Sequence, residues 1–385
     1  MATENNNKNL NVPNLRFPEF SGEWQRGELK DVATLSKGSG ISKDQLSDSG
    51  NPCILYGELY TKYKSEIIRE VVSKTDIDSS GLVQSKVNDV IIPCSGEAAI
   101  EIATARCVTM DNILLGGDLN IIRLNGQDGG FFAYQLNGKR KVDIAKVAQG
   151  VSVVHLYGEH LKRVKVAYPS LDEQQKISSI LTLLDERIAT QNKIIEKLES
   201  LIKGLCSSLF DKNKYDSFVK LGDISEITNG NSDVQDASLS YSDGMYPFFD
   251  RSEDIKFLPE YLLDKEAIIY PGEGSEFYPR YYNGKFALHQ RCYAIYDISP
   301  NFAPRYLYYF CQTQNSYFVR NAVGSTVASL RLDTFKRLNI PNTPIEIQKA
   351  YVQLLDKIES KIIDNKTILK KYEEQKRYLL SKLFI

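Results

Sequence analysis

From residue 177 onward, apolar positions advance in alternate steps of four and three: Ile177, Leu181, Leu184, Ile188, Gln191, Ile195, Leu198, Ile202, Leu205 and Leu209. That spacing is the seam of a coiled coil, sustained over about four heptads. A second stretch keeps the same phase through Tyr351, Leu355, Ile358, Ile362, Asn365, Leu369, Tyr372, Lys376, Leu379 and Leu383, with Lys376 as its weak point. No Pro or Gly interrupts residues 171–203, and Pro169 and Pro344 stand at the helix starts, where a missing N–H costs nothing. The pattern predicts two helices of roughly 40 residues, each about 60 Å long. Gln191 and Asn365 occupy matching polar positions in the two seams, where one polar residue can fix register and partner docking. The preferred pairing is antiparallel and within the chain; the alternative is two separate coiled coils made with other chains.

Elsewhere the period changes to that of strands. Short β-like runs cover residues 87–93, 119–124 and 164–168, then 267–270, 291–298 and 337–340. Asn-Gly turn signals punctuate them at 125–126, 137–138, 229–230 and 283–284. Short helices are expected around 130–136 and 304–312. The fold class is therefore α+β, with two globular heads separated by two long helices.

The chain also repeats itself. Residues 148–211 lie on residues 322–385 without a gap, and about a quarter of the positions are identical, Gly150/Gly324, Gln174/Gln348 and Phe210/Phe384 among them. A second echo matches Leu29, Asp31, Val32 and Gly38 to Leu221, Asp223, Ile224 and Gly230. Between these parts only scraps agree, such as Ile91-Ile92 with Ile268-Ile269. The expected organisation is a flexible leader at 1–11, a head at 12–168, a helix at 169–211, a head at 212–343 and a helix at 344–385, arranged as a pseudo-twofold repeat. A constant frame with two variable inserts presents two different surfaces.

Composition limits what those surfaces do. With 385 residues, 42% hydrophobic and 25% charged, the chain reads as a soluble globular protein of two domains. No apolar run is long enough to span a membrane, and the Asn-rich start lacks the apolar core of a signal peptide. Six cysteines without a CxxC pair, beside three histidines, offer no zinc spacing and suit a reducing cytoplasm. There is no P-loop, no nucleophile elbow and no adjacent proline pair, so no catalytic, metal or cofactor site is expected in this chain.

Net charge is −1, so any DNA-binding charge is local or shared with partners. Arg280, Lys285, Gln290 and Arg291 interleave with Tyr278, Tyr281, Tyr282, Phe286, Tyr293 and Tyr296, the chemistry that reads base edges and holds phosphates. The same mixture also occurs in ordinary β-rich cores. Lys139-Arg140-Lys141 is the sharpest basic cluster, and a solvated helix end is its plainer reading. Lys37 and Asn229 close the two echoed segments and complete the DNA-contact candidates.

The run from Val12-Pro13-Asn14-Leu15-Arg16-Phe17 to Trp24 resembles the opening of specificity subunits of type I restriction-modification enzymes. So do Leu171-Asp172-Glu173-Gln174-Gln175-Lys176-Ile177, the block from Leu184 to Glu199, and the closing Leu209-Phe210 and Leu383-Phe384. The resemblance implies two target-recognition domains, each reading one half of a split, asymmetric site in double-stranded DNA. It implies helices that set the gap and dock two methylation subunits, which bring S-adenosylmethionine and flip the target adenine. Restriction subunits would add ATP- and magnesium-dependent translocation and cleavage. This chain itself would be non-enzymatic. Two departures stand out: only the Gly transfers after each echoed segment, and the second helix starts Ile345-Glu346-Ile347-Gln348-Lys349. The rival reading is a coiled-coil scaffold with two protein-binding heads.

Overall fold

The structure, a computed structural model, describes residues 3–4 and 11–385. Most of the expected leader lies outside the described residues. The chain divides into two compact units, one comprising Met1–Asn192 with Thr367–Ile385, the other Lys193–Lys366.

In the first unit five strands form one sheet: β1 (Ala33–Lys37), β2 (Ile67–Ile68), β3 (Asp89–Pro93), β4 (Arg106–Val108) and β5 (Leu119–Leu124). Their spatial order is β1-β5-β3-β4-β2, antiparallel except for the β4–β2 pair. Helix α1 (Gly129–Asn137) follows, and the long helix α2 (Leu171–Leu209) then leaves this unit. A smaller four-stranded sheet, which includes Asn51–Ile54 and Ser73–Thr75, is inserted between β1 and β5.

The second unit is built the same way. Its strands are β6 (Glu226–Asn229), β7 (Tyr246–Phe249), β8 (Lys256–Leu258), β9 (Leu263–Pro271), β10 (Arg280–Leu288) and β11 (Cys292–Tyr296). The order β6-β11-β9-β10-β7-β8 repeats that of the first sheet strand for strand, including one parallel pair, β10–β7, and adds β8 at the edge. Ile91-Ile92 and Ile268-Ile269 occupy the equivalent central strands β3 and β9, so that scrap of similarity marks a true correspondence. Helix α3 (Pro304–Gln312) takes the place of α1, and α4 (Ile345–Lys382) is the second long helix. One expectation fails: Asn283-Gly284 is no turn but lies inside β10, opposite Glu266 and Lys265, with Gly284 at φ 128°. A glycine there lets the strand bend without ending it.

Every position of both seams is buried or half-buried. Within the first unit Lys376 bonds Asp185 at 2.6 Å and Arg187 lies over Tyr372 at 5.9 Å. Within the second, Glu199 bonds Lys366 at 2.7 Å and Phe210 meets Tyr351 at 6.4 Å. In each unit rising numbers on α2 meet falling numbers on α4, so the segments pair antiparallel within one chain. Each unit's core takes the start of one long helix and the end of the other. Ile177, Leu181 and Phe384 join Trp24 and Phe131 in the first unit. Leu355 and Phe210 join Tyr306 and Phe310 in the second.

Lys376, the weak point of the seam by pattern, is a bridging cation. It reaches Glu66 at 2.7 Å as well as Asp185, whose other oxygen accepts from Tyr134 at 2.8 Å. Burial drives the Glu66 carboxyl above its ordinary range, and Lys376 only partly offsets it. The second unit answers with a different cation at the matching place. Tyr309 of α3 donates to Asp356 at 2.6 Å and Glu359 at 3.0 Å, and Arg305 bonds both acids.

Candidate nucleic-acid interface

A common set of clamps holds each head to its helix. Gln174 donates to the Pro169 carbonyl at 2.9 Å and accepts from the Asp128 amide at 3.0 Å, at the start of α1. Gln348 donates to the Thr343 carbonyl at 2.7 Å and accepts from the Ala303 amide at 2.9 Å, at the start of α3. Both side chains are fully buried and hydrogen-bonded, as a buried amide requires. Glu173 adds a clamp found in the first unit alone. It takes a bidentate bond from Arg16 at 2.8 and 2.7 Å, and Trp24 Nε1 lies 3.3 Å away. The matching position on α4 is Ile347, which is exposed. The irregular start of the second helix thus reflects the absence of any counterpart to the Arg16 segment in the second unit.

The echoed segments also have a structural cause. Leu29 and Leu221 are fully buried, each in a one-turn helix ahead of the edge strand. A Cβ on Gly38 would meet the Gly116 carbonyl oxygen at 2.0 Å, and one on Gly230 the Leu288 oxygen at 2.0 Å. Only glycine passes, which is why it survives in both copies. Beyond that crossing each sheet opens into a cavity lined by loops of unrelated sequence. In the first unit the cavity is about 820 Å³ and is lined by Lys43, Tyr56, Glu58, Tyr60, Lys62 and Asp118. In the second it is about 510 Å³ and is lined by Asp233, Asp250, Arg251, Glu273, Gln290 and Arg291.

The structure brings three of the proposed contact residues together. Asn229 donates to the Gln290 carbonyl at 3.3 Å, and Gln290 donates to Asp233 at 3.3 Å. Arg291, exposed beside them, holds Glu273 at 2.7 and 2.9 Å. That guanidinium keeps the Glu273 carboxyl below the usual carboxylate range. Arg280 braces the rim instead, donating to the carbonyls of Asp250 (3.1 Å) and Ser252 and lying over Phe249.

The remaining candidates fall elsewhere. Lys285 sits over Tyr261 and Tyr246, at 4.8 and 5.8 Å. Lys37 is exposed at the end of β1. Lys139 is exposed, Arg140 donates to the Ile385 carbonyl at 3.0 Å, and burial lowers the Lys141 ammonium. Within the basic cluster Arg140 is thus committed to the Ile385 carbonyl, Lys141 is half-buried, and Lys139 alone is exposed. Most of the second-unit aromatics are packing groups. Tyr282 and Phe286 stack on Phe249, and Tyr293 on Phe335, while Tyr278 stays exposed. Gln191 is buried in the seam, and Asn365 donates to the Lys361 carbonyl at 2.6 Å.

Glu273 and Asp118 are not legible in the sequence because their partners, Arg291 and Ser95, lie 18 and 23 residues away, whereas Asp250 is held locally by Ser252 and Lys256. Among the described residues, no helix is long and apolar enough to cross a membrane.

Two units with one frame and two different open ends define a two-headed binding protein on paired helices. Comparison with known proteins gives that class its family. The profile described as "Type I restriction modification DNA specificity domain" matches residues 21–200 and again residues 214–374. The chain belongs to that family, in two copies.

Among curated proteins of Methanocaldococcus jannaschii, the putative type I restriction enzyme MjaX specificity subunit is 26% identical over 232 residues, 57% of this chain and 54% of that protein. The type I restriction enzyme MjaIX specificity subunit is 23% identical over 306 residues, 69% of this chain and 71% of that protein. The chain thus covers about half the length of the first of these relatives. Among solved structures, the S subunit of a type I restriction-modification system from M. genitalium superposes with a TM-score of 0.71 over 97% of this chain and 99% of that one, at 17% identity. A chain from a study of complex assembly and conformational transition in the type I system gives 0.53 at 14% identity, over 94% of this chain and 97% of that one. At these identities the likeness concerns the fold.

Proposed function

We propose that the chain is the DNA sequence-specificity subunit of a type I restriction-modification complex. Each unit reads one half of a bipartite, asymmetric site in double-stranded DNA, and the paired helices set the gap between the halves. The observation that carries this reading is the pair of sheets with one strand order, ending in two cavities lined by unrelated residues. A shared scaffold with divergent loops suits two half-sites of different sequence on one kind of ligand.

The helices also dock two methylation subunits. An exposed row supports this: Ile180, Arg187 and Ile194 on α2 match Leu354, Lys361 and Ile368 on α4, heptad for heptad, and all four apolar members are exposed. Apolar side chains kept in water at regular spacing suit a partner surface. The complex is an adenine-N6 methyltransferase whose S-adenosylmethionine is held by the methylation subunits. ATP and magnesium belong to the restriction subunits, and the whole works in the cytoplasm. With nearly zero net charge, this chain leaves much of the phosphate neutralisation to those partners.

The test is a genome-wide map of N6-methyladenine in the host, with and without this gene. Loss of methylation at one split motif with a constant gap is expected. An unchanged map, with methylation subunits that fail to co-purify, would leave the scaffold reading ahead.

A further inference from the structure

We infer that a pair of twin loops, residues 149–155 in the first unit and 323–329 in the second, grips the phosphodiester backbone of DNA. Base reading is left to the divergent loops beside them. This rests on the proposed function above and adds a site to it.

The two loops share the pattern Ala-x-Gly-x-Ser/Thr-Val-x-x-Leu, at 148–156 and at 322–330. Part of the pattern has an internal cause. Leu156 and Leu330 are buried. Gly150 and Gly324 hold φ at 123° and 119°, and a Cβ there would meet the carbonyl oxygens of Val153 and Val327 at 2.0 and 2.4 Å. Each base is pinned by reciprocal bonds. Gln149 and His155 exchange amide-to-carbonyl bonds at 2.9 and 2.7 Å, and Val323 and Ser329 do so at 2.9 and 2.8 Å.

The tips have no such cause. Residues 149–153 and 323–327 are all exposed. Among the described residues, nothing hydrogen-bonds the Ser152 or Thr326 hydroxyl or the amides of 151–153 and 325–327. Packing does not explain why a hydroxyl residue followed by valine stands at the same exposed place in both units.

Position points to the ligand. The first loop pairs with the strand at Ser95–Gly96, and Ser95 Oγ lies 3.0 Å from Asp118 on the cavity wall. The second loop accepts from the Gly274 amide at 3.1 Å through the Ala328 carbonyl, and Ser329 Oγ lies 3.3 Å from Glu273. The second loop therefore touches a lining residue of its cavity directly, and the first reaches its cavity wall through Ser95. A device kept the same beside surfaces that differ suits the part of DNA that is the same whatever its sequence. Unpaired amides and a hydroxyl are donors of the kind that hold phosphate oxygens, and neither tip carries an acid. The valine methyls can lie against deoxyribose. A protein partner would want a large anchor, and the tips carry no aromatic, leucine or arginine.

The experiment uses the full chain assembled with its methylation subunits and a duplex bearing the mapped motif. Ser152→Glu and Thr326→Glu should each weaken binding by about tenfold or more, on motif and unrelated DNA alike. Neither should change the thermal midpoint or the methylated sequence. Neutral methylphosphonates, introduced one phosphate at a time, should cost the wild type more than Thr326→Ala at one position of one half-site, and more than Ser152→Ala in the other. Unchanged binding by both glutamate variants overturns the inference. So does an altered motif, which would make the loops base readers. Failure to assemble with the subunits would make them a protein-docking site instead. A wild type that shows no split motif overturns the proposed function, and the inference that rests on it falls too.

Discussion

Single residues here divide into those that hold the frame and those that face the open cavities. Arg16 and Glu173 form a buried bidentate pair, with 7% and 2% of their side chains exposed. Removing one member of such a pair strands the other charge in a low-dielectric setting. Arg16→Ala should therefore destabilise the protein by about 3 kcal/mol. A urea melt with an unmoved midpoint would refute this. Arg291 is the opposite case, its exposed guanidinium held by Glu273. On the proposed reading, Arg291→Ala should cost about 1–3 kcal/mol of discrimination at one half-site and leave the other untouched. Equal loss at both halves, read from methylation of single-base variants of the motif, would move Arg291 into a folding or docking role. The Leu-Arg-Phe and Glu-Gln-Gln motifs were visible in the sequence as separate words. That Arg16 and Glu173 bond each other was not, because 157 residues separate them.

At the scale of elements, the seams were legible because a coiled-coil face obeys a short local period. Lys376 shows where the period stops being informative. It sits at an apolar position because Glu66 and Asp185 wait there, and Glu66 comes from a loop that no helical pattern reveals. Lys376→Ala should cost about 3–5 kcal/mol by leaving two buried carboxylates facing each other. The penalty has a predictable pH slope. Burial already raises Glu66 above its ordinary value of 4.5, so its stability contribution is present at low pH and is lost as pH rises. Without the lysine that rise is larger, so the variant should lose most at neutral pH and recover toward pH 4.5. Melts of variant and wild type across that range check the sign, and a penalty independent of pH would refute it. The misread Asn283-Gly284 has the same origin. Turn propensity is local, whereas the partners across β10 are supplied by β9.

For the whole molecule, the decisive feature is repetition of topology without repetition of sequence. Both sheets place the sequence-first strand at an edge next to the sequence-last, and both keep a single parallel pair, beside three antiparallel pairs in the first and four in the second. On the proposed reading the helices act as a ruler. Four residues inserted after Gln191 and four after Asn365 add about 6 Å to each helix. That is nearly two base steps at about 3.4 Å, so the gap in the methylated motif should lengthen. An unchanged gap would refute the ruler while leaving the two half-site readers intact.

The long helices, their seams, the internal repeat and the glycines at 38, 150, 230 and 324 are legible in the amino-acid sequence alone. Each of these is a local requirement, of period or of backbone space, written within a few residues. That the two inserts share one strand order emerges from the folded chain and not from local pattern. The same holds for the shared clamp of Gln174 and Gln348, and for the meeting of Asn229, Gln290 and Arg291 while Arg140 bonds the Ile385 carbonyl. Those outcomes depend on contacts between segments far apart in the chain. A sheet tolerates many side chains on the same backbone ladder.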